Sequence, residues 1–196
     1  TGSSSSSLRT LLDKGFLVES FFEKDRIPYV ASMHKSEIDL SPAQQEAFEA
    51  VEEQFKNQDV VLLEGVTSSG KTEVYFDLIE QVLQQEKQVL YLLPEISLTS
   101  QMIHRLQDRF GSKVVVYHSK FSIHERVEMW NNIISKQEKA QIILGARSSV
   151  FLPFKDLGLI IVDEEHESSF KQFDPAPRYH ARDTAIVLGK IQGAKV

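Results

Sequence analysis

The chain has 196 residues, enough to bury a substantial core and to hold one or two domains. With 22 Lys and Arg against 28 Asp and Glu its formal charge is −6, so nucleic-acid binding by bulk positive charge is excluded and would need local clusters of cations and helix N-termini. It contains no cysteine, which excludes disulfides, zinc–thiolate sites and thiol catalysis within this sequence.

Residues 1–7 are polar and serine-rich, read either as a linker or as the entrance of a helix. Leu8, Leu11 and Leu12 follow at helical spacing, and Gly15 is placed to end the helix. Phe16 to Phe22 has the aromatic and aliphatic bias of a strand. A helix–glycine–strand unit this small is expected to be the tail of a small domain, spanning 1–22. The charged stretch 23–39 reads as a linker.

A second pattern runs from Leu40. Ser41 suits an N-cap and Pro42 the first helical position, and Ala47, Phe48, Val51 and Phe55 share one face, predicting a helix over 42–56. Val60–Glu64 is expected to be a short buried strand. Further strands are expected at Val89–Leu93, Val114–Tyr117, Ile142–Leu144 and Leu159–Val162, with helices at 71–85, 97–110, 122–136 and 179–190. Ala194-Lys195-Val196 has the pattern of another strand's start. Strands alternating with helices predict an α/β domain over 40–196, with a mainly parallel sheet covered on both faces. No apolar run approaches the roughly 18 residues of a membrane span.

Two segments carry chemistry. Gly65-Val66-Thr67-Ser68-Ser69-Gly70-Lys71-Thr72 fits G-x-x-x-x-G-K-[ST] without a mismatch, between a predicted strand and a predicted helix. Glycines let backbone N–H groups converge on phosphate oxygens, and the helix N-terminus adds positive potential. Lys71 would reach the β- and γ-phosphates of ATP, and the Thr72 hydroxyl would hold Mg²⁺. The second segment is Leu159-Ile160-Ile161-Val162-Asp163-Glu164-Glu165-His166, an apolar strand ending in acids. Carboxyl ends of parallel strands form the ligand crevice. Asp163 would therefore face the Mg²⁺, Glu164 would polarise the attacking water, and His166 would hydrogen-bond near the nucleotide.

These residues, with Glu73-Val74-Tyr75 after the phosphate loop, resemble the DEAH-like helicases of superfamily 2, and more closely its bacterial replication-restart branch. Leu92 to Thr99 resembles motif Ia of that family, Gly145 to Phe154 its motif Ib, and Pro177 to Asp183 the segment after its acidic motif. His118-Ser119 with Glu125, Arg126 and Trp130 resembles a further block. Ser68 stands where the family usually has glycine, and Ala146 where it usually has threonine.

The resemblance implies a RecA-like P-loop lobe, the first of two, preceded by the end of a winged-helix domain. It implies ATP-dependent 3′→5′ unwinding of DNA in the restart of stalled forks, in the cytoplasm at the nucleoid. Single-stranded and forked DNA, other primosome proteins and single-strand-binding protein would be its partners, and no membrane. A second lobe would supply an arginine finger, worth ~10³–10⁵ in rate, so this segment alone is expected to hydrolyse ATP poorly. Zinc is implied for the full-length protein but not for this cysteine-free segment. Gln44 resembles the family's adenine-reading glutamine, its amide both donating and accepting.

Pro94, Glu95, Ser97, Thr99 and Arg147 would touch the strand backbone, with ordinary helix capping and a solvated arginine as the alternatives. Phe170, Lys171, Phe173, Arg178 and Tyr179 interleave aromatics with cations just after the acids, a composition suited to stacking bases and coupling DNA to hydrolysis. The alternative is that Phe170 and Phe173 plug the core. Two other functions compete with the motor: a P-loop small-molecule kinase, and a catalytically silent nucleic-acid-binding module.

Overall fold

The computed structural model describes residues 5–16, 18, 40–66, 69–97, 99–118 and 121–196. Helix α1 (Ser5–Asp13) ends as expected at Gly15, whose φ of +72° is the left-handed conformation that glycine adopts freely. Most of the expected strand from 16 to 22 and the linker 23–39 lie outside the described residues.

The α/β unit opens with α2 (Pro42–Phe55). Ser41 Oγ accepts from the Gln44 N–H, and Gln44 Oε1 accepts from the Ser41 N–H at 2.8 Å, a reciprocal cap that fixes where the helix begins. There follow α3 (Lys71–Gln84), β1 (Gln88–Leu92), α4 (Ser100–Phe110), β2 (Val114–Tyr117), α5 (Ile123–Ile134), β3 (Ile142–Gly145), β4 (Leu157–Val162) and α6 (Ala181–Gln192). The strands form one sheet in the order β2-β3-β1-β4, every pair parallel.

Alternate strand residues feed two apolar layers. Leu90, Leu92, Ile143 and Ile160 pack with Met129 and Ile133 of α5 and Ala181 and Ala185 of α6. Val89, Tyr91, Ile142, Leu144 and Ile161 pack with Val51 of α2, Val74 and Ile79 of α3 and Leu106 of α4. Gln88 is fully buried, and its amide donates to the Ile133 and Ala140 carbonyls and accepts from the Lys155 and Asp156 N–H groups, so its polar atoms are satisfied.

Three expectations are corrected. Residues 60–64 form no strand: Val60 and Leu62 are exposed, and the described backbone beside this segment is that of Val196. The Val61 N–H donates to the Val196 carbonyl at 2.9 Å and the Val196 N–H to that of Asp59 at 2.8 Å, so a neighbour exists for one step of a ladder only. The helix predicted from 97 starts at Ser100, because Glu95–Ser97 is a separate 3₁₀ turn and Thr99 caps α4 through the Met102 N–H. The helix predicted over 179–190 is shifted to Ala181–Gln192, since Tyr179 and His180 pair back on the preceding loop. Lys195 does pair in parallel with Leu159, as the apolar C-terminal residues suggest.

Candidate active site

A parallel sheet brings all its carboxyl ends to one edge, and the segments singled out by chemistry or by the family resemblance follow those ends: Pro94 after β1, His118 after β2, Ala146 after β3 and Asp163 after β4. The phosphate loop approaches the same edge and runs into α3. Gly70, with φ +81°, makes the turn into the helix; a Cβ there would meet Gln44 Nε2 at 2.1 Å. A Cβ on Gly65 would meet Ser69 Oγ at 2.7 Å. Thr67 and Ser68 lie outside the described residues.

Val66, Ser69, Gly70, Lys71 and Thr72 face Asp163 and Glu164 across a cavity of ≈340 Å³. Lys71 Nζ donates to the Gly65 carbonyl at 2.6 Å, crossing the mouth of the loop. The Asp163 carboxylate is oriented by two donors, the Tyr91 hydroxyl on Oδ2 at 3.2 Å and the Glu164 N–H on Oδ1 at 3.1 Å. Burial raises its pKa above the ordinary carboxylate value, while the Tyr91 hydrogen bond and the Lys71 charge oppose that shift. Burial and the adjacent carboxylates push the Tyr75 and Tyr91 hydroxyls up, so both stay protonated. Glu164 has φ +51°, a conformation unfavourable for a non-glycine residue and concentrated at functional sites.

His166 is exposed and its Nε2 stands 3.6 Å from Glu164 Oε2. Glu165 is instead paired with Arg182 of α6 at 2.6 Å. The Gln44 amide is engaged at both ends, since besides its cap contact Nε2 donates to the Gly70 carbonyl at 3.1 Å. Gln44 thus meets the phosphate loop directly, and these two bonds use one of its two N–H donors and one of its two acceptor lone pairs.

The expected nucleic-acid contacts divide. Glu95 and Thr99 are exposed, Ser97 is half-buried and Pro94 is buried. The Thr99 hydroxyl accepts from the Met102 N–H, which leaves its own proton to donate. Arg147 is not a solvated cation: its Nη1 donates to the Lys171 carbonyl at 2.7 Å and the Ser169 carbonyl at 3.4 Å, bracing the loop that follows the acids. Phe170 is 1% exposed and belongs to the core, so stacking on a base is closed to it. Phe173 is 61% exposed, with Lys171 Nζ 5.0 Å from its ring centroid.

The loop closes on itself through the Gln172 N–H to the Tyr179 carbonyl at 2.8 Å, the Lys171–His180 bridge and the Gln172 amide on the Pro175 and Pro177 carbonyls. Arg178 is exposed, and Tyr179 packs edge-on against Phe151 at 4.9 Å. Burial raises the Tyr179 pKa, with the Arg147 charge acting against it.

The sequence reading missed Tyr91, which looks like one more apolar residue of a buried strand, and Arg105, which lines the cavity and pairs with Glu73. Equal i, i+4 spacing of Glu73 and Asp77 and of Arg105 and Arg109 is the one signal that could have matched those two helices.

The sequence matches the family model described as DEAD/DEAH box helicase over residues 41–192. It is 47% identical over 190 residues to the replication restart protein PriA of Bacillus subtilis, covering 95% of this chain and 23% of that protein. It is 44% identical over 183 residues to the PriA of Synechocystis, covering 93% and 22%. With the PriA of Haemophilus influenzae the identity is 49% over 132 residues, covering 67% and 18%. The chain therefore spans less than a quarter of the length of these relatives.

Among solved structures, a nuclease-deletion mutant of the Type ISP restriction-modification enzyme LlaGI, in complex with a DNA substrate mimic, aligns with a TM-score of 0.54 at 21% identity, covering 68% of this chain and 16% of that one. That likeness bears on the fold alone and agrees with an α/β lobe. With the phosphate loop and the strand-end acids facing one cavity, and the family model spanning most of the sequence, the chain belongs to the DEAD/DEAH box helicases.

Proposed function

We propose that this chain is the first ATP-binding lobe of a DNA helicase that restarts stalled replication forks. The observation that carries the reading is the meeting of Lys71 and Thr72 with Asp163 and Glu164 around one cavity at the carboxyl edge of the sheet. The printed names of its relatives supply the replication-restart setting. The 3′→5′ direction, forked DNA, primosome proteins and single-strand-binding protein rest on the resemblance of the motifs.

The residues fit magnesium–ATP. Among the described residues no group of three or more His, Cys, Asp or Glu could hold a metal by itself. Magnesium characteristically takes one or two protein oxygens and completes its shell with phosphates and water. Thr72 Oγ1 and the Asp163 carboxylate would hold it, and when bound it would neutralise charge on the phosphates. The loop N–H groups and Lys71 bind the phosphate oxygens. Glu164 orients the attacking water and accepts its proton. Gln44 ties the α2 cap to the loop, and the 168–180 loop, braced by Arg147, ties hydrolysis to nucleic acid through Phe173 and Lys171. Zinc is expected elsewhere in the full-length protein. No described helix is long and apolar enough to cross a membrane.

The test is unwinding of a forked duplex by the full-length protein, with ATP and magnesium. Displacement of a strand from a 3′-tailed duplex but not a 5′-tailed one is expected. Nucleotide hydrolysis without displacement of either strand would contradict the helicase reading.

A further inference from the structure

Helices α3 and α4 are joined by two rungs of ion pairs. Arg105 pairs with Glu73, and Arg109 pairs with Asp77 and, at 2.9 Å, with Glu80. Both guanidinium groups lie on the Phe76 ring, 5.7 and 5.8 Å from its centroid. Both arginines brace the two helices, Arg105 through one acid and the more deeply buried Arg109 through two. They differ in what else they face: Arg105 lines the ≈340 Å³ cavity with Lys71, Thr72, Asp163 and Glu164, and Arg109 does not.

The charged groups around that cavity are three acids, Glu73, Asp163 and Glu164, and two cations, Lys71 and Arg105. A polyphosphate entering there meets a wall in which Lys71 alone would be outnumbered. Arg105 meets Glu73 through one nitrogen, Nη2, and a guanidinium has five N–H donors in a planar fork suited to phosphate oxygens. It shares its wall with the acids that follow β4, and Gln44 does not line this cavity. A nucleotide bound with its phosphates on the loop would therefore bring its last phosphate, rather than its base, towards Arg105.

We propose that Arg105 is a second phosphate-binding cation of this cavity, held at its wall by Glu73 and directed to the terminal phosphate, so that it separates nucleoside triphosphates from diphosphates. This rests on the nucleotide reading of the cavity given above. Arg109, one turn further along the same two helices, is the internal control for a purely structural role.

The experiment is titration of the full-length protein, with magnesium, against fluorescent analogues of ATPγS and ADP, alongside thermal melts. Arg105→Gln is expected to raise the triphosphate Kd about tenfold or more and the diphosphate Kd less than about threefold. Arg105→Lys keeps the charge without the fork and is expected to fall between wild type and Arg105→Gln. Arg109→Gln is expected to lower the melting temperature and leave the ratio of the two Kd values unchanged. Parallel shifts of both Kd values, or none, in Arg105→Gln while Lys71→Ala still weakens both would overturn the inference and leave Arg105 a brace. If Lys71→Ala alters neither Kd, the nucleotide reading falls and the inference with it.

Discussion

The Tyr91 hydroxyl donates to Asp163 Oδ2 at 3.2 Å, so a side chain near the carboxyl end of β1 holds the acid that follows its neighbour β4. Tyr91 is fully buried and packs edge-on with Tyr75 at 6.0 Å, which leaves its hydroxyl little freedom to turn away. Removing that hydroxyl costs one charge-assisted hydrogen bond and leaves the ring in place. Tyr91→Phe is expected to lower kcat about three- to tenfold, with a small change in melting temperature. Steady-state ATPase assays beside thermal melts check this, and an unchanged kcat would remove Tyr91 from the positioning of Asp163.

The same carboxylate predicts a trade between stability and activity. Burial holds its folded-state pKa above the ordinary aspartate value of 3.8, so the ionised form costs stability at neutral pH. That cost fades as pH falls through the raised pKa and is gone below 3.8, where the group is protonated in both states. In the absence of nucleotide, Asp163→Asn is expected to melt about 2–4 °C higher than wild type at pH 7 while losing magnesium-dependent hydrolysis. The difference in melting temperature is expected to shrink as pH is lowered through that window. A variant that melts lower at pH 7 would contradict the desolvation argument.

Gln44 does two things that substitution can separate. Its Oε1 completes the Ser41 cap and its Nε2 holds the Gly70 carbonyl. Gln44→Glu keeps the acceptor and loses the donor, whereas Gln44→Ala loses both. Nucleotide affinity is expected to fall in both variants. Stability is expected to fall by about 1 kcal/mol in Gln44→Ala and by clearly less in Gln44→Glu. Denaturant melts and nucleotide titrations read the two effects separately.

Phe170 and Phe173 are three residues apart and have opposite fates. Phe170→Ala empties a core position and is expected to destabilise the fold by about 3–5 kcal/mol. Phe173→Ala removes an exposed ring and is expected to leave stability within about 0.5 kcal/mol while reducing stimulation of the ATPase by single-stranded DNA. Denaturant unfolding and DNA-stimulated turnover of both variants check this; full stimulation in Phe173→Ala would detach the loop tip from nucleic-acid coupling.

These residues also show what a sequence can disclose. The phosphate loop and the strand-end acids were legible because phosphate and metal chemistry dictates residue types at fixed spacing, and the parallel sheet then had to bring them together. The four strands with hydrogen-bonded neighbours were legible to within two residues at each end, through their unbroken apolar runs. The segment 60–64 has the same composition, but among the described residues only Val196 bonds to its backbone, a tertiary fact that no local pattern contains. Phe170 and Phe173 share one local context, so only packing could assign one to the core and one to solvent. Neither the bracing contacts of Arg147 nor the cavity position of Arg105 was legible, because their partners lie 24 and 32 residues away in the chain.

The central claim is that Lys71 and Glu164 serve a DNA-coupled ATPase. The most direct measurement is ATP hydrolysis by the full-length protein with and without single-stranded DNA, beside Lys71→Ala and Glu164→Gln. The account predicts turnover stimulated by DNA and lost in both variants, with Glu164→Gln still binding nucleotide. Turnover indifferent to DNA, or undiminished in either variant, would contradict it.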